Sequence, residues 1–165
     1  MIQSDCKWGS NTKYILTKAK ERVWFLRRLK ILGASRNTLL GAYYLFVRSV
    51  LEMAAPLWAG ALTKKNNKDI ESVQFNCLKL VHGNNFTSYK ESLVSSGLET
   101  MSARREKICV KFAKKSLKNH RFKNCFPEKI SAKTRSGDKF IVPRSNTNRY
   151  STSSIPHLIR LLNKS

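Results

Sequence analysis

From Ser10 to Leu32 the apolar residues Ile15, Ala19, Val23, Leu26 and Leu29 return every three or four positions. That spacing gathers them on one stripe of an α-helix and scatters them over both faces of a strand. Gly33 follows where a left-handed cap belongs. The same period persists as far as Lys118 and confines the chain to helices that bury their stripes against one another. Ser35 caps a second helix, whose Leu39, Leu40, Tyr43, Tyr44, Phe46, Val47, Val50 and Leu51 wrap most of the circumference until Pro56 breaks or kinks it. A helix apolar nearly all round belongs at the centre of a bundle. A third stripe, Ile70, Val73, Cys77, Leu78 and Val81, predicts a helix over 68–81 stopped by Gly83. Ser88 with Glu91 forms a capping box that opens a short helix running to about Gly97. After Thr100 the longest basic helix begins, and it extends to about Lys118.

Beyond Arg121 the period dissolves into Ser, Thr, Asn and Lys punctuated by Pro127, Gly137 and Pro143. The expectation is therefore an all-α fold: a small bundle of about five helices over 1–120, then an irregular, basic, extended tail over 121–165. Within that tail, Lys139–Val142 suits a short strand and Ile155–Leu162 a terminal helical turn or two. No internal repeat is present.

Charge decides the class of partner. Against 32 Lys and Arg stand 10 Asp and Glu, a net charge of +22 and a pI near 10.3. Such a surface attracts polyanions, nucleic acid first and an anionic membrane second. No run approaches the roughly 18 apolar residues of a spanning helix, and the start MIQSDCKWGS lacks the apolar block of a signal peptide. A soluble, intracellular protein is expected, with nucleus and cytoplasm both open. Cys6, Cys77, Cys109 and Cys125 show no paired short spacings, which fits reduced thiols better than a disulfide framework.

On a wheel of about 100° per residue, Arg104, Lys107, Lys111, Lys114, Lys115 and Lys118 share one side of the fifth helix, with Ile108, Cys109, Phe112 and Ser116 on the other. No acid lies between Lys107 and Pro127, so these cations, with Arg121 just beyond, lack local partners and repel one another unless a polyanion or salt screens them. The first helix carries a second candidate face: Lys13, Lys20 and Arg27 at seven-residue spacing, with Trp24 and Arg28 beside them. Cations around an exposed indole can grip phosphate and stack on a base or ribose. Lysines on an amphipathic helix ordinarily do no more than solvate its outer face, and Trp24 can equally pack against another helix. The +22 total favours phosphate contact for the fifth-helix stripe and leaves Trp24 balanced between the two.

Catalytic chemistry is not signalled. There is no Gly-rich phosphate loop, nucleophile elbow or zinc-protease signature, and the ten acids are dispersed singly, so no pair is placed to hold two metal ions about 4 Å apart. Cys77 with His82 and His120 with Cys125 formally supply two cysteines and two histidines. A buried thiol on its helix stripe and a helix-terminal histidine beside Gly83 are the better readings. His157 has no partner of note. No cofactor, metal or catalytic residue is expected.

The order and wording of the segments resemble the region that follows the palm in non-LTR retrotransposon reverse transcriptases of the LINE type. An opening phrase like ISSDLKW appears at Ile2–Trp8 with Cys6 for leucine, and KAKERVWFLRRLKILG at Lys18–Gly33 matches that family's KAxERLxFLRRLKxLG. Tyr43–Thr63, YYLFVRSVLEMAAPLWAGALT, is similar to the family's next helix, with Met53 where tyrosine is common. Ile70–Gly83, IESVQFNCLKLVHG, and the following SYKESLVSSGLETMSARREKICVKFAKK resemble the succeeding phrases, with Val94, Ser95 and Ser96 as departures. The ending SSIPHLIRLLNK is similar to the finish of such reading frames.

The resemblance spans most of the chain and implies a thumb and carboxy-terminal region that holds primer and template. The endonuclease, fingers and palm with its catalytic aspartates have no counterpart in this sequence, so polymerase activity is not implied. Non-specific binding of RNA, DNA or their hybrid is the first functional expectation. A protein-interaction role, in which an apolar surface associates with a reverse transcriptase palm or with a second copy, is the alternative, and a transposon relic without function is a third.

Overall fold

The structure, a computed structural model, describes residues 8–126, 129–130 and 139–164. Cys6, most of the opening phrase, Pro127 and Gly137 lie outside the described residues. The fold is all-α: ten helices, α1 Gly9–Ile31, α2 Arg36–Ala42, α3 Ser49–Glu52, α4 Ala55–Trp58, α5 Lys64–His82, α6 Tyr89–Ser95, α7 Met101–Lys118, α8 His120–Lys123, α9 Asn148–Ser151 and α10 Ser154–Leu162, are assigned among the described residues. A two-residue antiparallel pair, β1 Lys129–Ile130 with β2 Lys139–Phe140, is the sheet structure among them. The chain divides into two compact units, one of Met1–Met53 with Leu62–Arg104 and one of Ala54–Ala61 with Arg105–Ser165.

Local chemistry sets the helix ends of the first unit. Gly33, at φ 80°, closes α1: the Ala34 amide donates to the Leu29 carbonyl at 3.1 Å and the Gly33 amide to that of Lys30 at 3.0 Å. This satisfies carbonyls the helix would leave open, in a conformation that glycine adopts without steric cost. Gly97 ends α6 with the equivalent pair of bonds, from Leu98 to Leu93 and from Gly97 to Val94. Ser35, Thr63 and Ser88 cap α2, α5 and α6 by accepting from Thr38, Asn66 and Glu91 amides. The Glu91 carboxylate accepts from the Thr87 hydroxyl.

The second expected helix is where the structure departs from the period. It is α-helical to Ala42, π-helical over Tyr43–Arg48 and α-helical again in α3. It ends at Ala54, a left-handed residue at φ 53°, two positions before Pro56. Pro56 then serves in the first turn of α4, where its missing N–H costs nothing. The helix is central along Leu39, Tyr43, Val47 and Leu51, yet Leu45 is 70% exposed and Phe46 43%, so the all-round apolar face is buried on one side only.

Helix α1 lays Ile15, Ala19, Val23 and Leu26 against the core, and α5 contributes Ile70, Val73, Cys77 and Leu78. A polar chain, buried at Tyr43 and Gln74, links the π-helical segment, α5, α6 and α7. The Tyr43 hydroxyl donates to Gln74 Oε1 at 2.5 Å, and Gln74 Nε2 donates to the Tyr89 hydroxyl and to the Glu99 carbonyl, each at 2.9 Å. Tyr89 in turn donates to Glu71, which accepts the Met101 amide at the start of α7. Burial pushes the Tyr43 phenol well above its ordinary pKa, so it remains a donor.

In the second unit Cys109, Ala113, Phe126, Leu158, Ile159 and Leu161 form one buried cluster, flanked by Leu117, Phe140, Val142 and Ile155. The short strand expected over Lys139–Val142 and the terminal helix expected over Ile155–Leu162 fall on β2 and α10, but the extended character expected for the tail is corrected in its described part, where α8, α9 and α10 belong to a packed unit that also takes in α4. A break expected after residue 120 falls inside that unit. The reason is visible at Gly60: a Cβ there would lie 2.7 Å from the His157 side chain and from the Thr152 carbonyl. Only glycine lets α9 and α10 approach the turn after α4 so closely, and Ser154 Oγ then donates to the Pro56 carbonyl at 2.9 Å.

Candidate nucleic-acid interface

Helix α7 is fixed by a seam of every fourth residue, Met101, Arg105, Cys109 and Ala113, joined by Ser116, all buried. Successive positions four apart drift slowly round the helix, so this seam leaves the opposite side, roughly 160° away, to solvent. Lys107, Lys111, Lys114 and Lys118 lie there and Lys115 on its flank, all exposed and within the second unit. Arg121 is exposed on α8.

Two assignments of the helical wheel change. Arg104 belongs to the first unit, where its Nε holds Glu52 Oε1 at 3.0 Å, and Arg48 Nε approaches the same oxygen at 3.5 Å. Arg48 also lies over the Tyr44 ring at 4.3 Å. A guanidinium pinned by a carboxylate neutralises less of an incoming phosphate, so Arg104 leaves the stripe; the cause is an acid 52 residues away in sequence, invisible to helical spacing. Phe112, expected on the apolar side, is 39% exposed, and Phe122 on α8 is 47% exposed. The seam is narrow enough that a ring at its edge meets water.

In the first unit, Lys13, Lys20, Trp24, Arg27 and Arg28 are all exposed on α1, with Trp24 and Arg28 opposite its buried stripe and Lys20 and Arg27 toward its flank. Trp24 is 56% exposed, and the Arg28 guanidinium lies 4.8 Å from the centre of its ring. The balanced reading of this indole therefore resolves: it is a surface side chain, while its neighbour Phe25 makes an edge-to-face pair with Phe46 at 5.4 Å.

Other features of the sequence fall outside an interface. Cys77 and Cys109 are free and buried, and burial pushes their thiols up to about 12 and about 11. Cys125 is free and exposed. Among the described residues no three His, Cys, Asp or Glu lie close enough together to share a metal ion. His82 shares its Nε2 with Ser96 Oγ at 3.0 Å and Arg36 at 3.4 Å. A recess of about 100 Å³ lined by Arg48, Gln74, Gly97, Leu98, Glu99 and Arg104 is not foreseeable from spacing, because its walls come from four separate segments. No helix among the described residues is long and apolar enough to cross a membrane. No family model, curated protein or solved structure matches the chain.

Proposed function

We propose that this chain is a non-catalytic, thumb-like helical module that binds RNA, DNA or their hybrid through the phosphate backbone without sequence preference. The observation that carries the reading is the lysine face of α7: Lys107, Lys111, Lys114 and Lys118 are exposed away from the buried seam with Lys115 on its flank, and the sequence holds no acid between Lys107 and Pro127. Each phosphate neutralised there releases condensed counterions, and that release drives binding. The likeness of Lys18–Gly33 and Tyr43–Thr63 to LINE-type reverse transcriptases supports a primer-template role for the parent protein. Catalysis is not part of the proposal, and the pure chain should incorporate no nucleotide on a primed template.

Replacing Lys107, Lys111, Lys114 and Lys118 together by Gln tests it. Affinity for RNA and DNA of any sequence should fall, and the slope of log affinity against log salt should shrink by roughly three, at about 0.7 to 0.9 per lost phosphate contact. Four Lys→Gln changes at Lys64, Lys65, Lys79 and Lys90 should do less. Unchanged affinity and slope in the α7 variant, with helicity intact, would reduce the stripe to a solvated face.

A second reading rests on the exposed Phe25, Ile31, Leu32, Leu45 and Phe46 of the first unit. Apolar surface of this kind suits association with a second copy or a reverse transcriptase palm. Sedimentation that stays monomeric over a wide concentration range would remove self-association.

A further inference from the structure

Resting on that reading, we propose that the outward face of α1 takes unpaired bases of a single-stranded nucleic acid, which stack on Trp24 while Lys20, Arg27 and Arg28 hold the flanking phosphates.

The apolar side of α1 is already spent on the core through Ile15, Ala19, Val23 and Leu26. Trp24 is therefore not a surplus core residue. It stands on the opposite side among cations, more than half exposed, and among the described residues its indole makes no hydrogen bond. The nearby acid Glu21 is held by Lys18 at 3.0 Å. No carboxylate among the described residues pairs with Lys20, Arg27 or Arg28.

A flat apolar ring set among unanswered positive charges is complementary to a polymer that alternates phosphates with flat rings. Base stacking on an aromatic side chain is sequence-tolerant, because every base has a π-face. Arg28, over the indole at 4.8 Å, restrains the ring and supplies a cation–π term to the stack. A duplex buries its base faces against one another, so only an unpaired strand gains from Trp24. An amphipathic membrane helix would instead present an apolar side opposite its cations, and in α1 that side is buried.

The test uses the full chain and three polyanions of equal charge: a single-stranded oligonucleotide, its duplex, and an abasic phosphodiester of the same length. Trp24→Ala should weaken single-strand binding by about tenfold. Duplex and abasic binding should stay within about twofold, and the salt slope should be unchanged, because no phosphate contact is lost. Trp24→Phe keeps a π-face and should recover most of the loss. The single strand should quench indole fluorescence more in the wild type than in Trp24→Ala, since of the two indoles that remain Trp58 is buried and Trp8 half-buried.

If Trp24→Ala leaves single-strand binding intact while the α7 lysine variant still loses affinity, the stacking proposal is overturned and the backbone reading stands. Equal losses on all three polyanions also overturn it. No binding to any of them overturns both, as would fluorescence changes with phosphatidylserine vesicles alone.

Discussion

The two units carry equal numbers of cations, sixteen Lys and Arg each, but the first sets seven acids against them and the second three. In the first unit an acid is put to structural use: Glu52 gathers Arg48 and Arg104. Glu71 joins Tyr89 to the start of α7. In the second, the lysines of α7 face water over an apolar cluster built on Cys109, Leu158 and Ile159. A charged residue that must fix tertiary structure needs an opposite partner in a defined place. On the proposed reading, cations that meet a polymer of phosphates are instead left facing water.

The largest effect that can sharpen this contrast lies in the cores. Leu158→Ala, at a site 1% exposed, should cost about 2–5 kcal/mol by chemical denaturation. Because Leu158 and Cys109 share a cluster, alkylation of Cys109 should accelerate more than that of Cys77 in the first unit. Equal acceleration of both thiols would show that the two units open as one. In the wild type, Cys125 should be alkylated well before either, since their thiols are buried and hard to ionise.

A middle-sized effect should come from the buried polar chain. Tyr43→Phe strips Gln74 Oε1 of its donor inside the first unit, which should cost about 1–3 kcal/mol. Tyr150→Phe in the second unit removes a hydroxyl from a side chain 46% exposed and should change stability by less than about 0.5 kcal/mol. Similar costs at both tyrosines would mean that the Tyr43 chain is not the organising feature its burial indicates.

The smallest effect is a response to acid that both units should share. His82 and His157 have pKa values lowered from 6.5, first by burial and then by Arg36 and Arg160 respectively. A histidine whose folded value is lowered contributes stability that is present above 6.5 and is lost as pH falls below it toward the folded value, because the unfolded chain takes up the proton first. Stability should therefore decline modestly from pH 7 to 5. His157→Gln should flatten that decline; a slope unaltered by the change would place the acid sensitivity elsewhere.

Much of the helical frame is legible in the residues themselves. Ser35, Ser88, Gly33, Gly83 and Gly97 mark helix ends because caps are local, made between residues at most five apart. After Arg121 the short strand at Lys139 and the terminal helix over Ile155–Leu162 are legible, but the packing of the region is not. Its elements are short, its apolar residues are spaced by no single period, and Phe126, Phe140 and Leu158 become a core only where the chain folds back on α7 and on the close turn at Gly60.

By itself the sequence determined the α-helical class, the helix limits near Gly33, Gly83 and Lys118, and the lysine stripe of α7, since a helix face follows from spacing along one segment. Tertiary structure alone decided that Arg104 answers Glu52 while its neighbour Arg105 is buried, that Phe112 meets water, and that Tyr43, Gln74, Tyr89 and Glu71 join in one chain of hydrogen bonds. The physical reason is range. Burial and pairing depend on groups brought together from distant parts of the chain, and no local period records that Glu52 will meet Arg104 or that the adjacent Arg105 will be enclosed.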